Sequence, residues 1–138
     1  MNDVVHQFEQ HFGVQLPAAL RNAVTAGRLP CENVMFETED KKVAGWITEF
    51  WPVVSEDGES YASEYEELSL GGLLPENLLP VAFVANGDRI VVSLRGPDCG
   101  NVYYWGWSEE PEPESNSYRH MRRIAADFDG FLAGLTRG

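Results

Sequence analysis

Val81-Ala82-Phe83-Val84-Ala85, then Asn86-Gly87-Asp88, then Arg89-Ile90-Val91-Val92-Ser93-Leu94: two apolar, β-branched runs meet across an Asn-Gly pair. A tight two-residue hairpin turn needs positive φ at its centre, which Asn and Gly adopt readily, so this stretch predicts an antiparallel hairpin. A second cluster of turn-formers, Arg95-Gly96-Pro97-Asp98-Cys99-Gly100, leads into Val102-Tyr103-Tyr104-Trp105. Three consecutive strands joined by short turns form a meander, and this meander sets the fold class.

Upstream, Leu73-Leu74-Pro75-Glu76-Asn77-Leu78-Leu79-Pro80 reads as a turn bracketed by two prolines, with the strand opening at Val81. Residues 55–72 are polar and acidic, and Tyr61, Tyr65 and Leu68 have the spacing of a short helix lying on the domain. Val34-Met35-Phe36 and residues 43–54 have strand composition, with Lys41-Lys42 at the turn between them and Pro52 marking an end or an edge. Residues 2–13 form an amphipathic helix through Val4, Val5, Phe8 and Phe12, stopped at Gly13. Leu16-Pro17 opens a second helix with a stripe of Leu16, Leu20, Ala23 and Val24, because proline lacks only an amide that the first turn leaves unpaired.

Downstream, residues 107–118 carry Glu109, Glu110, Pro111, Glu112, Pro113 and Glu114 and no apolar anchor between Ser108 and Ser117, which predicts a mobile loop. His120 to Ile124 reads as a last strand. Asp127 then caps a C-terminal helix that buries Phe128, Phe131, Leu132 and Leu135. The expectation is a single α+β domain over residues 1–138: N-terminal helices, a mainly antiparallel twisted sheet with a meander, and a C-terminal helix.

The order of these pieces resembles the SMI1/KNR4 family, also called the SUKH superfamily. The resemblance rests on Leu16-Pro17 after a short amphipathic helix and on Leu78-Leu79-Pro80-Val81-Ala82 leading into a strand. It continues through Asn86-Gly87-Asp88 with Arg89-Ile90-Val91-Val92, Gly100-Asn101-Val102-Tyr103-Tyr104-Trp105, and Ile124-Ala125-Ala126-Asp127-Phe128-Asp129-Gly130-Phe131-Leu132. The resemblance implies an α+β domain, and a role like that of bacterial relatives which serve as immunity proteins against toxins delivered between neighbouring cells. Fungal relatives look like regulatory interaction proteins, so the alternative is a protein–protein interaction scaffold without a toxin. The family has no catalytic motif to transfer.

The residues themselves point the same way. Of 138 residues, 22 are acidic and 10 basic, a formal net charge of −12, while 43% are hydrophobic. That apolar mass separates the chain from disordered acidic tails. The charge argues against nucleic-acid and anionic membrane partners, both of which repel it, and for a basic protein partner. The N-terminus lacks the basic and apolar regions of a signal peptide, and Cys31 and Cys99 lie far apart outside any Cys-x-x-Cys pattern. A cytoplasmic location with reduced thiols is expected.

No enzyme is expected. His6 and His11 are five apart on a helix and leave a common face, so no metal pair forms. No nucleophile elbow or phosphate loop occurs, and no cofactor is called for. The acids, by contrast, are segregated. Between Lys42 and Arg89 there is no base and nine acids; from Gly96 to Tyr118 there are five more acids and again no base. The expected partner-binding residues are therefore Glu56, Asp57, Glu59, Glu64, Glu66 and Glu67, with Glu109, Glu110, Glu112 and Glu114 closing over the partner. Tyr61 and Trp107 are expected as exposed aromatic anchors, and Trp51 and Trp105 as core.

Overall fold

The computed structural model describes residues 4–30, 33–55, 58–71, 74–85, 87–106 and 121–137. Two helices, α1 (Val4–Phe12) and α2 (Ala18–Thr25), open the chain. Pro17 is the N-cap of α2, one step outside the first turn, and its carbonyl accepts the Arg21 amide at 2.9 Å. Glu9 ties the corner between the helices: one carboxylate oxygen accepts the Leu16 amide at 2.8 Å and the Arg21 guanidinium at 2.7 Å.

Then follow β1 (Val34–Glu37), β2 (Ala44–Phe50), the single helical turn α3 (Tyr61–Glu64) running into a π-helical turn (Tyr65–Ser69), β3 (Leu78–Val84), β4 (Arg89–Ser93), β5 (Val102–Trp105), β6 (Met121–Ala125), α4 (Phe128–Ala133) and β7 (Thr136–Arg137). The strands make one antiparallel sheet in the order β6-β5-β4-β3-β2-β1-β7. The α+β architecture and the meander are as the sequence implies. The β3–β4 turn is closed by the Val84 amide on the Asp88 carbonyl and the Gly87 amide on the Val84 carbonyl, both at 2.9 Å, with Gly87 at φ 96°. Asp127 caps α4 by accepting the Gly130 amide at 2.7 Å.

Three details differ from expectation. The third strand opens at Leu78 rather than Val81 and contains Pro80. Its β2 neighbour has already peeled away there: the last link is the Trp51 amide to the Val81 carbonyl, and the register with β4 shifts between Pro80 and Ala82. A proline is tolerated because it sits at a bulge beyond the end of one ladder. The second detail is the C-terminal helix, which ends at Ala133, before Leu135. Third, the next residues form β7, which pairs with β1 through Val34–Arg137 and Met35–Thr136.

The sheet curls strongly. In a flat sheet, the four spacings from β1 to β5 would set these strands about 19 Å apart. Yet Phe36 of β1 stacks on Tyr104 of β5 with ring centroids 5.5 Å apart and planes at 26°. The tip of the β1–β2 hairpin reaches the edge strand β6, where the Glu39 amide donates to the Arg123 carbonyl at 2.8 Å. Arg123 and Arg122 pair with Glu39 and Asp40 at 2.7 and 2.8 Å. Register shifts in the β2–β3, β3–β4 and β5–β6 ladders supply the bends.

Alternation along the strands separates two cores. Ile90, Val92, Val102 and Tyr104 join Phe8, Leu20, Phe36, Trp51, Phe128 and Phe131 in the main core. Val91, Leu78 and Trp105 turn the other way and meet Leu68 and Leu74. Trp51 and Trp105 are both core residues, 1% exposed, as expected.

Candidate functional site

The acidic stretch that the sequence singles out is carried by α3 and the π-helical turn, and its anchoring begins with two serines. Ser60 Oγ accepts the Ser63 amide at 3.1 Å while Ser63 Oγ accepts the Ser60 amide at 2.9 Å, a reciprocal cap that starts the helix. From that start, the face bearing Tyr61, Tyr65 and Leu68 turns inward. Phe8 lies 6.4 Å from Tyr61 and 6.1 Å from Tyr65, and Phe12 lies 5.1 Å from Tyr65, all edge-on. This aromatic cluster fastens the acidic segment to α1.

Tyr61 is therefore not an exposed anchor. It is completely buried, and burial pushes its phenol pKa up. Its geometry corrects the expectation, because a side chain with no surface offers a partner no contact area. The i, i+4, i+7 spacing of Tyr61, Tyr65 and Leu68 already carried the signal.

The carboxylates divide in two. Glu64 stands at i+3 from Tyr61, on the inward face, and is buried. Arg89 Nε donates to its Oε1 at 3.3 Å, and the same guanidinium donates to the Gly87 carbonyl at 2.7 Å and lies 5.4 Å from the Phe83 ring centroid. Burial raises the Glu64 pKa, Arg89 opposes the rise, and the neighbouring charges of Glu67 and Glu59 add to it. Glu64 is thus an internal counter-ion rather than a surface group. Glu59, Glu66 and Glu67 are exposed. Glu56, Asp57, Trp107, Glu109, Glu110, Glu112 and Glu114 lie outside the described residues.

Among the described residues, most basic side chains are taken up by ion pairs. Arg21, Arg28, Lys41, Arg89, Arg122 and Arg123 each meet a carboxylate: Glu9, Asp129, Glu37, Glu64, Asp40 and Glu39 respectively. Among the described residues, the exposed Glu59, Glu66 and Glu67 of this segment form no ion pair. Tyr65 closes the segment by donating its hydroxyl to the Glu76 carbonyl. Its own pKa is raised by burial, against the nearby Arg95 guanidinium.

The SMI1 / KNR4 family model (SUKH-1) matches residues 2–134. The chain belongs to the SMI1/KNR4 family. Neither a curated protein nor a solved structure gives a significant match. Membership in SUKH-1 is consistent with an immunity-protein role and with a protein partner such as a toxin. Among the described residues, no helix is long and apolar enough to cross a membrane, and no three His, Cys, Asp or Glu side chains are grouped to hold a metal ion. Cys99 is a free, exposed thiol whose Sγ donates to the Leu94 carbonyl at 3.3 Å; Cys31 lies outside the described residues.

Proposed function

We propose that this SMI1/KNR4-family protein is an immunity protein that binds a cognate bacterial toxin stoichiometrically and occludes its substrate path. The family match over residues 2–134 carries the reading. Charge supports it: a net −12 with Glu59, Glu66 and Glu67 exposed on a segment pinned by buried tyrosines suits a basic toxin such as a nuclease. Such a surface steers the partner and fixes its approach. Glu56 and Asp57 precede these residues in the chain. Trp107, Glu109, Glu110, Glu112 and Glu114 enter the proposal through the second base-free stretch.

The test is to look for a toxin gene beside the gene for this protein, co-express the two products, and follow the kinetics of the complex. Replacing Glu59, Glu66 and Glu67 together by Lys should slow association and flatten its dependence on salt, since exposed charges act mainly on the on-rate. Unchanged affinity and salt dependence would remove these residues from the interface. Failure to copurify or to protect cells from the toxin would remove the immunity reading itself.

A further inference from the structure

Among the described residues, Trp46 is the one Phe, Tyr or Trp that is exposed, at 37%. It stands in the middle of β2, on the face of the sheet opposite Ile47 and the main core. Met35 of β1 is its cross-strand partner on one side, and the Ala85 amide donates to the Trp46 carbonyl on the other. Neither Met35 nor Trp46 joins either core. Over β3–β5 the same face is roofed by Leu68 and Leu74, whereas at Trp46 it is open.

A bulge decides which charges share this face. Trp46 and Glu49 are three positions apart, a spacing that puts side chains on opposite faces of a regular strand. The β2–β3 register shifts between Ile47 and Glu49, which inserts a residue and turns Glu49 to the Trp46 face. There Glu49 lies opposite Phe83, and Phe83 opposite Arg89, whose guanidinium stands over the Phe83 ring. Phe50, the next residue, packs inward on Phe131. Glu49 is exposed and forms no ion pair among the described residues. Arg89 is paired with Glu64, and Glu59 and Glu67 stand close enough to Glu64 to raise its pKa. The open indole therefore continues, through Glu49, Phe83 and the Arg89–Glu64 pair, into the acidic α3 segment. Toward the hairpin tip, Glu37 is paired with Lys41 and Lys42 follows, so the acidic side of Trp46 is the Glu49 side.

We propose that Trp46 and Glu49 together seat an arginine side chain of the basic protein partner, its guanidinium on the indole and its N–H edge on the carboxylate. The proposal rests on the basic-partner reading above and adds the aromatic contact that the buried Tyr61 does not supply. Indole is the strongest of the aromatic faces for a cation, and a guanidinium stacked on it keeps its N–H edge free for a carboxylate. Neighbouring positions on one face of a strand are about 7 Å apart, a span that an arginine covers. A second copy of the chain would bring its own −12 against this face, and a stacked nucleotide would bring a phosphate toward Glu49.

The test is a titration of the 15N-labelled protein at low salt with acetyl-Gly-Arg-Gly-Arg-Gly-amide. A second peptide carries citrulline, similar in shape but uncharged, at both arginine positions. The Arg peptide should shift the Trp46 indole N–H and the amides of Met35, Glu49 and Ala85 at millimolar concentration, and the citrulline peptide should not. Trp46→Leu and Glu49→Gln should each weaken binding, read at Met35 and Ala85, by about threefold, and Trp46→Phe should weaken it less. Asp129→Asn, which takes the same charge from α4, should leave it unchanged. Trp46 and Glu49 are exposed, so the variants should fold, and unchanged amide signals away from β2 check that. The proposal is overturned if the Trp46 signals stay still, if citrulline moves them equally, or if Trp46→Leu responds as the parent does. It is overturned too if the same signals move on concentrating the protein alone, which would make the face a contact between copies. If no toxin is found while Arg binding depends on Trp46 and Glu49, the toxin reading fails and the site stands. A toxin bound by Trp46→Leu with the parent's affinity removes the site alone.

Discussion

The Arg89 guanidinium reaches from the first residue of β4 to Glu64 at the end of α3, 3.3 Å away, with the two side chains only 18% and 6% exposed. This pair holds the acidic segment against the meander, and it turns one member of the segment inward while its neighbours stay in solvent. Removing only the arginine strands a buried carboxylate. Arg89→Gln should cost about 3 kcal/mol at neutral pH, measured by urea denaturation.

The loss should also depend on pH. Burial raises the Glu64 pKa above its ordinary value of 4.5, so between the unfolded and folded values the folded state binds more proton at this group than the unfolded state does. Stability from this group is therefore full below the unfolded pKa and declines as pH rises through the folded one. Taking Arg89 away raises the folded pKa further. The deficit of Arg89→Gln relative to the parent should be larger at pH 7.5 than at pH 5, and equal deficits would contradict the role given to burial.

Tyr61 and Tyr65 should respond oppositely to loss of the hydroxyl. Among the described residues the buried Tyr61 Oη has no hydrogen-bond partner, whereas Tyr65 Oη donates to the Glu76 carbonyl. Tyr61→Phe should leave stability unchanged or raise it by up to about 1 kcal/mol, and Tyr65→Phe should lower it by about 1 kcal/mol. Thermal melts of the two variants give the comparison.

Gly71 follows the π-helical turn at a point where a side chain has no room. A Cβ there would lie 2.0 Å from the Glu67 carbonyl oxygen, which belongs to the backbone and cannot rotate aside. Gly71→Ala should destabilise by about 2 kcal/mol or more, as overpacking does. Gly58→Ala, whose Cβ would meet only Ser55 Oγ at 3.7 Å, should be close to neutral in the same melt.

Asp40 links the hairpin tip to β6, and its pKa is lowered to about 2. The largest single cause is the hydrogen bond donated by Thr38 Oγ1 at 2.7 Å, followed by the Lys42 amide at 3.0 Å, with the hydrogen bond and the charge of Arg122 acting in the same direction. Thr38→Val and Arg122→Gln should each raise the Asp40 pKa, read from the side-chain carbonyl shift during an acid titration. Because the pKa is depressed, the contact stabilises the fold above the unfolded pKa and is lost as pH falls toward 2.

The strands and helices were legible because each depends on neighbours in sequence. Asn86-Gly87 between apolar runs, the Asp127 cap, and the alternation that buries Trp105 opposite Tyr104 all act over a few residues. The place of Pro80 inside a strand is not legible locally, because the tolerance for a missing amide is set by where β2 ends, thirty residues earlier in the chain. Tyr61 has the look of a surface group in the sequence because acidic residues flank it, while its spacing with Tyr65 and Leu68 is that of one buried helix face. The same spacing would have placed Glu64 on the inward face; only its partner, Arg89, lay beyond local reading.

The sequence by itself determined the α+β class, the meander, the family and the sign of the surface field, since these follow from local pattern and composition. Tertiary structure decided which charges are free. The curl that brings Phe36 onto Tyr104 also brings Glu39 and Asp40 to Arg123 and Arg122, pairing across more than eighty residues. A charge is cancelled by whatever opposite charge packs within a few ångströms, and packing at that range is set by the closed fold. That is why the arginines of β6 are consumed while Glu59, Glu66 and Glu67 remain exposed.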